Sequence, residues 1–290
     1  MLILQTRGWT DYELLDSGEG ARLERFGTYL LIRPDPQAIW KRRQNSTLWG
    51  KADAVFEKRA YEREKWIRKT EVPDKWLLHY KNLAFWAKLT PFKHTGVFPE
   101  QTLQWDWLVN KLSDKSRQYN VLNLFAYTGI ASLICAENGA HVTHVDASKP
   151  TIAWARENQL ASGLKDKPIR WILDDALKFV AREVKRGVRY DGIIMDPPVY
   201  GHGPDGETWD FTTSFPALLS LCRQVLSDTP AFVLINAYAV TSSSLMLENV
   251  LEDFTEGMRG TRESGELALQ EASTARLLST GIFGRWSRSG

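Results

Sequence analysis

The chain reads as an α/β protein: an open, mostly parallel sheet preceded by a small β-rich domain. Three observations predict this. From residue 120 onward, short apolar runs alternate with amphipathic helical segments, the pattern of right-handed βαβ units. Each run ends in a polar or acidic residue at the point where a helix should start. Before residue 90 the pattern is instead alternating strands and turn residues.

Taken in order, Tyr12–Asp16, a Ser17-Gly18-Glu19-Gly20 turn and Ala21–Phe26 form a hairpin, and Tyr29–Arg33 a third strand. Glu57–Lys69 fits either a short helix or a strand pair. Leu83–Leu89 is strand-like, and Leu103–Leu112 has helical spacing. The parallel strands are expected at Asn120–Phe125, His141–Val145, Ile169–Leu173, Tyr190–Met195 and Ala231–Ile235. Helices are expected at Gly129–Asn138, Lys149–Ala161, Ala176–Gly187, Phe215–Leu226 and Leu245–Leu251. Glu266–Glu271 and Arg276–Trp286 are further strands, the second suited to antiparallel insertion. The expected domains are 1–80, β-rich and a candidate for positioning RNA, and 81–290, made of a lead-in (81–118) and the sheet (119–290).

The 290 residues, 43% hydrophobic and 25% charged, suffice for a full core. A net charge of +2 neither requires nor excludes a polyanionic partner. Basic residues from Arg22 to Arg59 interleave with Trp40 and Trp49, and Trp66, Trp76 and Trp86 follow; such a mixture can hold phosphates and stack bases, or simply pack a small β-domain. Cys135 and Cys222 are isolated, and the five His residues show no ligand spacing, so neither a disulfide framework nor a metal site is expected. No apolar stretch approaches about 18 residues, and the first residues lack signal-peptide character. A cytoplasmic protein with no membrane segment is expected, while nothing sets the oligomeric state.

The chemistry lies at the strand ends. A carboxylate or amide after each successive strand gathers a ligand at the carboxyl edge of an open sheet. The first turn, Asn123-Leu124-Phe125-Ala126-Tyr127-Thr128-Gly129, has one glycine where a dinucleotide fingerprint has three. It suits a ligand without a pyrophosphate, and S-adenosylmethionine (SAM) is such a ligand. Asp146, about 20 residues further on, can accept ribose hydroxyls; it could also cap the next helix, for which Ser148 competes better. One of Asp174 and Asp175 can read the adenine amino group, although Asp175 also suits a helix cap. Asp196-Pro197-Pro198-Val199-Tyr200 ends the apolar run Ile193-Ile194-Met195. Its two prolines make a rigid bend, with the Asp196 carboxylate and Pro197 carbonyl placed to accept an amine's protons. Tyr200, with His202, can complete a base pocket.

These segments, together with Thr90–Gln101, resemble the class I SAM-dependent methyltransferases, most closely a bacterial large-subunit ribosomal-RNA group. The resemblance covers residues 83–290. It implies a Rossmann-like seven-stranded methyltransferase sheet, SAM as cofactor and an RNA substrate. It assigns the SAM pocket to His94, Thr95, Phe98 and Gln101, to Asn123, Phe125, Ala126, Tyr127, Thr128 and Gly129, to Asp146, Ala147 and Ser148, to Asn158, and to Asp174, Asp175 and Ala176. Asp196, Pro197, Pro198 and Tyr200 become the catalytic set, acting on an exocyclic or ring nitrogen in ribosomal RNA. Members that methylate cytosine carbon use a cysteine after the fifth strand; Ile235-Asn236-Ala237-Tyr238-Ala239-Val240 has none. Val199 also displaces the aromatic by one residue from the compact Asp-Pro-Pro-Tyr arrangement. Rival readings are a non-catalytic RNA-binding or assembly protein on the same scaffold, and a methyltransferase for proteins or small molecules. A nucleotide-dependent oxidoreductase is disfavoured by the missing glycines.

Overall fold

A computed structural model describes residues 2–57, 64–238 and 242–289. It divides into two compact units, one of Gln5–Thr102 with Ala268–Ser279, the other of Met1–Leu4, Leu103–Leu267 and Thr280–Gly290. The first unit therefore runs to Thr102 rather than to residue 80, and a C-terminal segment joins it.

The chain opens on β1 (Leu2–Thr6), then enters a sheet of five strands: β2 (Tyr12–Gly18), β3 (Ala21–Phe26), β4 (Tyr29–Pro34), β5 (Ala54–Glu57) and β6 (Lys65–Arg68). The expected hairpin is β2–β3, its turn tighter than read: Glu19 (φ 54°) and Gly20 (φ 76°) are both left-handed, as a two-residue type I′ turn requires. A short helix, α1 (Ser46–Gly50), lies between β4 and β5. The segment Glu57–Lys69 resolves, where described, as the β5–β6 strand pair; residues 58–63 lie outside the described residues. β7 (Lys75–Tyr80), unread in the sequence, pairs antiparallel with β8 (Leu83–Lys88).

Packing decides what most of the tryptophans in this unit do. Trp49 and Trp76 are buried, and their indole N–H groups donate to Asp16 (2.8 Å) and to the Phe26 carbonyl (3.1 Å). Trp40 donates to the Ser17 carbonyl. Rings held this way are core, and buried Trp49 and Trp76 cannot stack on bases. Arg22, Glu24 and Arg33 are also buried, with Arg33 bidentate on Glu24 at 2.6 Å and Tyr12 donating to the same carboxylate. Burial would raise the Glu24 carboxyl, but Arg22 and Arg33 hold it below the usual range.

The second unit begins essentially with α2 (Thr102–Lys111) and continues through β9 (Asn120–Leu124), α3 (Ile130–Glu137), β10 (His141–Asp146), α4 (Lys149–Ala161), β11 (Ile169–Leu173), α5 (Ala176–Arg186) and β12 (Gly192–Met195). Next come a small antiparallel pair, β13 (Tyr200–His202) and β14 (Thr208–Asp210), then α6 (Phe211–Val225), β15 (Phe232–Ala237), α7 (Ser244–Phe254), β16 (Gly260–Gln270) and β17 (Leu277–Arg288). The sheet order is β1-β16-β17-β15-β12-β9-β10-β11. Seven of these strands make the expected sheet, and β1 adds an eighth at the edge. β9 to β12 and β15 pair in parallel, and β17 inserts antiparallel against β15 as expected. Helix α6 starts four residues before the sequence suggested. Pro216 looks like a first-turn proline, but Asp210 is the cap, accepting the Thr213 N–H at 3.0 Å. Leu122, Leu124, Val145, Phe179, Ile193, Met195, Val233 and Ile235 are buried together in one core cluster, so the strand ends rest on a rigid base.

Candidate active site

Register lines up the strand ends. Leu124 of β9 pairs with Val145 of β10 and Met195 of β12, and Asp146 pairs with Leu173 of β11. The next residues, Phe125, Asp146, Asp174 and Asp196, thus emerge at one carboxyl edge, on strands about 4.8 Å apart. Two strand spacings separate Asp146 from Asp196.

The turn after β9 has unusual backbone. Phe125 (φ 54°), Tyr127 (φ 50°) and Gly129 (φ 82°) are all left-handed, a conformation costing a non-glycine residue about 1–2 kcal/mol. Asp146 sustains it. Its Oδ2 accepts the Tyr127 N–H at 2.8 Å, and its Oδ1 accepts from the Ser148 N–H (2.8 Å) and the Thr151 hydroxyl (2.9 Å). Burial raises the Asp146 carboxyl, while these three bonds pull it down. Ser148 is the cap of α4, as its sequence suggested. From the far side, Asn158 is buried and donates to the Thr128 carbonyl at 2.9 Å.

Asn123 departs from expectation. Its side chain is buried and donates to Ser132 Oγ at 2.9 Å instead of emerging at the edge. Ser132 in turn lies 3.0 Å from His144 Nδ1. Ser132 Oγ, which has two acceptor lone pairs, either donates to Nδ1 or accepts from it, according to the imidazole tautomer. Nε2 is buried without a hydrogen-bond partner, and burial pushes His144 down to about 3. A histidine depressed when folded binds its proton first in the unfolded chain, so stability falls as pH drops from about 6.5 toward 3. Between pH 7.5 and 5 the loss attributable to His144 is expected to be about 2 kcal/mol. Urea unfolding at both pH values checks this: His144→Gln should show a slope shallower by that amount, and equal slopes would contradict it.

Asp175 caps α5, accepting the Lys178 N–H at 2.9 Å. Asp174 forms an ion pair with Arg182 and accepts the Asp175 N–H. The cap reading of Asp175 is therefore the one seen, and Ala176 is buried core. Beyond β12, Asp196 is half-buried, Pro197 buried and Pro198 exposed. Trp209, which sequence reasoning missed, fixes this bend: its indole donates to the Pro198 carbonyl at 2.7 Å, and its ring meets Phe125 edge-on at 4.7 Å. The Phe211 N–H adds a bond to the Val199 carbonyl at 2.9 Å. The glycine-rich stretch after Tyr200 forms the β13–β14 hairpin, also tied by a Lys178–Glu207 ion pair. Tyr200 is 59% exposed, its ring edge-on to His202 at 5.2 Å.

His94, Thr95, Phe98 and Gln101 belong to the other unit. There His94 and Phe98 rings lie 5.4 Å apart, Thr95 is buried, and the Gln101 N–H bonds the Phe98 carbonyl. Burial, then Arg33 and Lys93, push His94 down to about 4. Both cysteines are buried, and burial raises their thiols. Ala239 and Val240 of the segment after β15 lie outside the described residues. Among the described residues no cluster of His, Cys, Asp or Glu could hold a metal ion, and no helix is long and apolar enough to cross a membrane.

An open parallel sheet with one antiparallel insertion and acidic residues along its carboxyl edge defines a class I methyltransferase architecture. Residues 55–255 match the family model for S-adenosylmethionine-dependent methyltransferases. A crystal structure of a SAM-dependent methyltransferase from Agrobacterium tumefaciens is 41% identical, with TM-score 0.96, covering 100% of this chain and 94% of that one. A methyltransferase structure from Streptococcus mutans shares the fold at 18% identity and TM-score 0.75, covering 97% and 76%. The "Ribosomal RNA large subunit methyltransferase K/L" of Shewanella baltica is 31% identical over 224 residues, covering 72% of this chain. The chain spans about 30% of that relative's length. The chain belongs to the S-adenosylmethionine-dependent methyltransferase family, and SAM is its cofactor.

Proposed function

We propose that the chain methylates a nitrogen of an RNA base, in ribosomal RNA. The observation that carries this reading is Asp196-Pro197-Pro198 at the end of the central strand β12, beside the turn that follows β9. The name of the Shewanella relatives supports the RNA acceptor. Bound SAM supplies a methyl group already activated on a sulfonium. The residues then need to align the acceptor and exclude water. The Asp196 carboxylate and the Pro197 carbonyl accept the two protons of an amine and aim its lone pair. Pro198 stiffens the bend, and Tyr200 with His202 offers a ring for the base.

For the cofactor, the turn Phe125, Ala126, Tyr127, Thr128 and Gly129 and the edge residues Ala147, Ser148, Asp174, Asp175 and Ala176 form the holding surface, with Asn123 and Asn158 bracing it from within. Asp146 fits a ribose diol: Oδ2 carries one bond, and a carboxylate oxygen accepts two. By likeness to the family, His94, Thr95, Phe98 and Gln101 are further SAM-binding residues. Residues 1–80 position RNA through its phosphates, and the protein works in the cytoplasm.

The test incubates the protein with radiolabelled SAM and ribosomal RNA from a strain lacking it, then maps the labelled nucleoside. A label on a base nitrogen is expected. Label only in protein, or on a carbon, would remove the acceptor assignment; absence of heat on titration with SAM would remove the cofactor surface.

A further inference from the structure

The cofactor turn and the acceptor bend leave the sheet from different strands, β9 and β12. Main-chain pairing ties them together as far as Leu124 and Met195. Past that pair the tie is long: the Asp196 N–H lies 3.4 Å from the Leu124 carbonyl. The distance from methyl donor to acceptor is therefore set by whatever joins the two segments beyond the strands. Trp209 of β14 joins them. It is 3% exposed and belongs to the core cluster that contains Leu124 and Met195. Its ring meets that of Phe125 edge-on, with centroids 4.7 Å apart, and Phe125 is the first left-handed residue of the cofactor turn. Its indole N–H donates to the Pro198 carbonyl at 2.7 Å. Pro197 and Pro198 have no N–H of their own, so this part of the bend can be anchored only through its carbonyls. Trp209 is itself held opposite Gly201 by the β13–β14 pairing.

We propose that Trp209 is a positioning residue for methyl transfer: its ring seats the cofactor turn, its indole N–H seats the acceptor bend, and one rigid side chain sets their separation. In the transfer the acceptor nitrogen bonds the methyl carbon as the carbon–sulfur bond breaks. The electron pair stays on sulfur, and a proton leaves the nitrogen to solvent. Such an in-line displacement loses rate steeply when the partners are displaced. The role rests on the reading of Asp196 and Pro197 as the acceptor's partners, and it goes beyond that reading, because residue 209 lies outside the Asp-Pro-Pro motif.

The two contacts can be separated by substitution in the full chain. Trp209→Phe keeps a ring against Phe125 and removes the donor to Pro198; Trp209→Leu removes both. Each variant is assayed for single-turnover transfer from radiolabelled SAM to ribosomal RNA from a strain lacking the protein, for SAM binding by calorimetry and for stability in urea. Trp209→Phe should slow transfer about 10- to 100-fold, as a displacement of about 1 Å does, with SAM affinity and the half-saturating RNA concentration little changed. Trp209→Leu should be slow and should also bind SAM more weakly. Val225→Ala is the control for lost packing: Val225 shares the core cluster, but its carbonyl bonds Tyr190 at the far end of β12. That variant should lose stability and keep the rate. If Phe at 209 leaves the chain unfolded, 3-benzothienylalanine there keeps the bicyclic ring, replaces the N–H by sulfur and should show the same loss. Wild-type rates without the N–H would overturn the proposal, as would equal slowing in Val225→Ala or a loss of SAM affinity that matches the loss of rate in Trp209→Phe. Asp196→Ala tells the two readings apart. If it is slow while Trp209→Phe is not, the positioning role alone falls; if it transfers as wild type, or wild-type protein leaves RNA unlabelled, the acceptor reading falls and takes the positioning role with it.

Discussion

Asp196→Ala is expected to lower the rate of methyl transfer by at least about 10²–10³-fold, the scale on which removing one group that aligns or stabilises the reacting centre is felt, while SAM affinity stays close to wild type. The backbone around Asp196 is held without its side chain. Its N–H reaches the Leu124 carbonyl at 3.4 Å, Trp209 holds the Pro198 carbonyl, and Phe211 holds that of Val199. Truncation therefore removes the carboxylate and leaves the bend. Asp196→Asn keeps an acceptor oxygen and should retain part of the rate. Single-turnover kinetics with the RNA acceptor, set beside calorimetry with SAM, decides the matter. Parallel loss of SAM affinity would make Asp196 a cofactor residue and remove it from acceptor alignment.

Much of the sheet could be read because its strands are buried on both faces and so appear as continuous apolar runs. β9, β12 and β15 lie within two residues of where those runs placed them. The same double burial hides side-chain parity. Nothing in Asn123-Leu124-Phe125 tells which residue points under α3, and Asn123 turned out to bond Ser132. Asp175 shows a second limit, since an acidic residue before a helix looks the same whether it caps or binds a ligand. The β13–β14 hairpin escaped because its strands are three residues each and joined by turn chemistry, which resembles an irregular loop. Trp209 was hidden with it, although it fixes the bend that the sequence did reveal. β16 was read only in its apolar second half; Gly260–Glu263 is polar and mostly exposed, yet belongs to the same strand.

Gly129→Ala is expected to cost about 2–4 kcal/mol of stability and to weaken SAM binding with it. Two terms contribute. At φ 82° an alanine carries the left-handed penalty, about 1–2 kcal/mol. Its Cβ would also lie 2.9 Å from the Ala155 Cβ of α4 and 3.4 Å from His144 Cε1, so α4 or the turn must shift. Phe125 and Tyr127 already carry the left-handed cost, and a third such residue falls on the backbone that Asp146 sustains. Removing the obstructing methyl separates the terms. Ala155→Gly alone should destabilise by about 1 kcal/mol, as glycine does inside a helix. In the double variant the clash is gone, and the two changes should couple favourably by about 1–2 kcal/mol, with SAM affinity partly restored. Urea unfolding of the four proteins measures that coupling. Strict additivity would show that the close approach of Gly129 to α4 is not what the position requires, and that its backbone angle alone sets the turn.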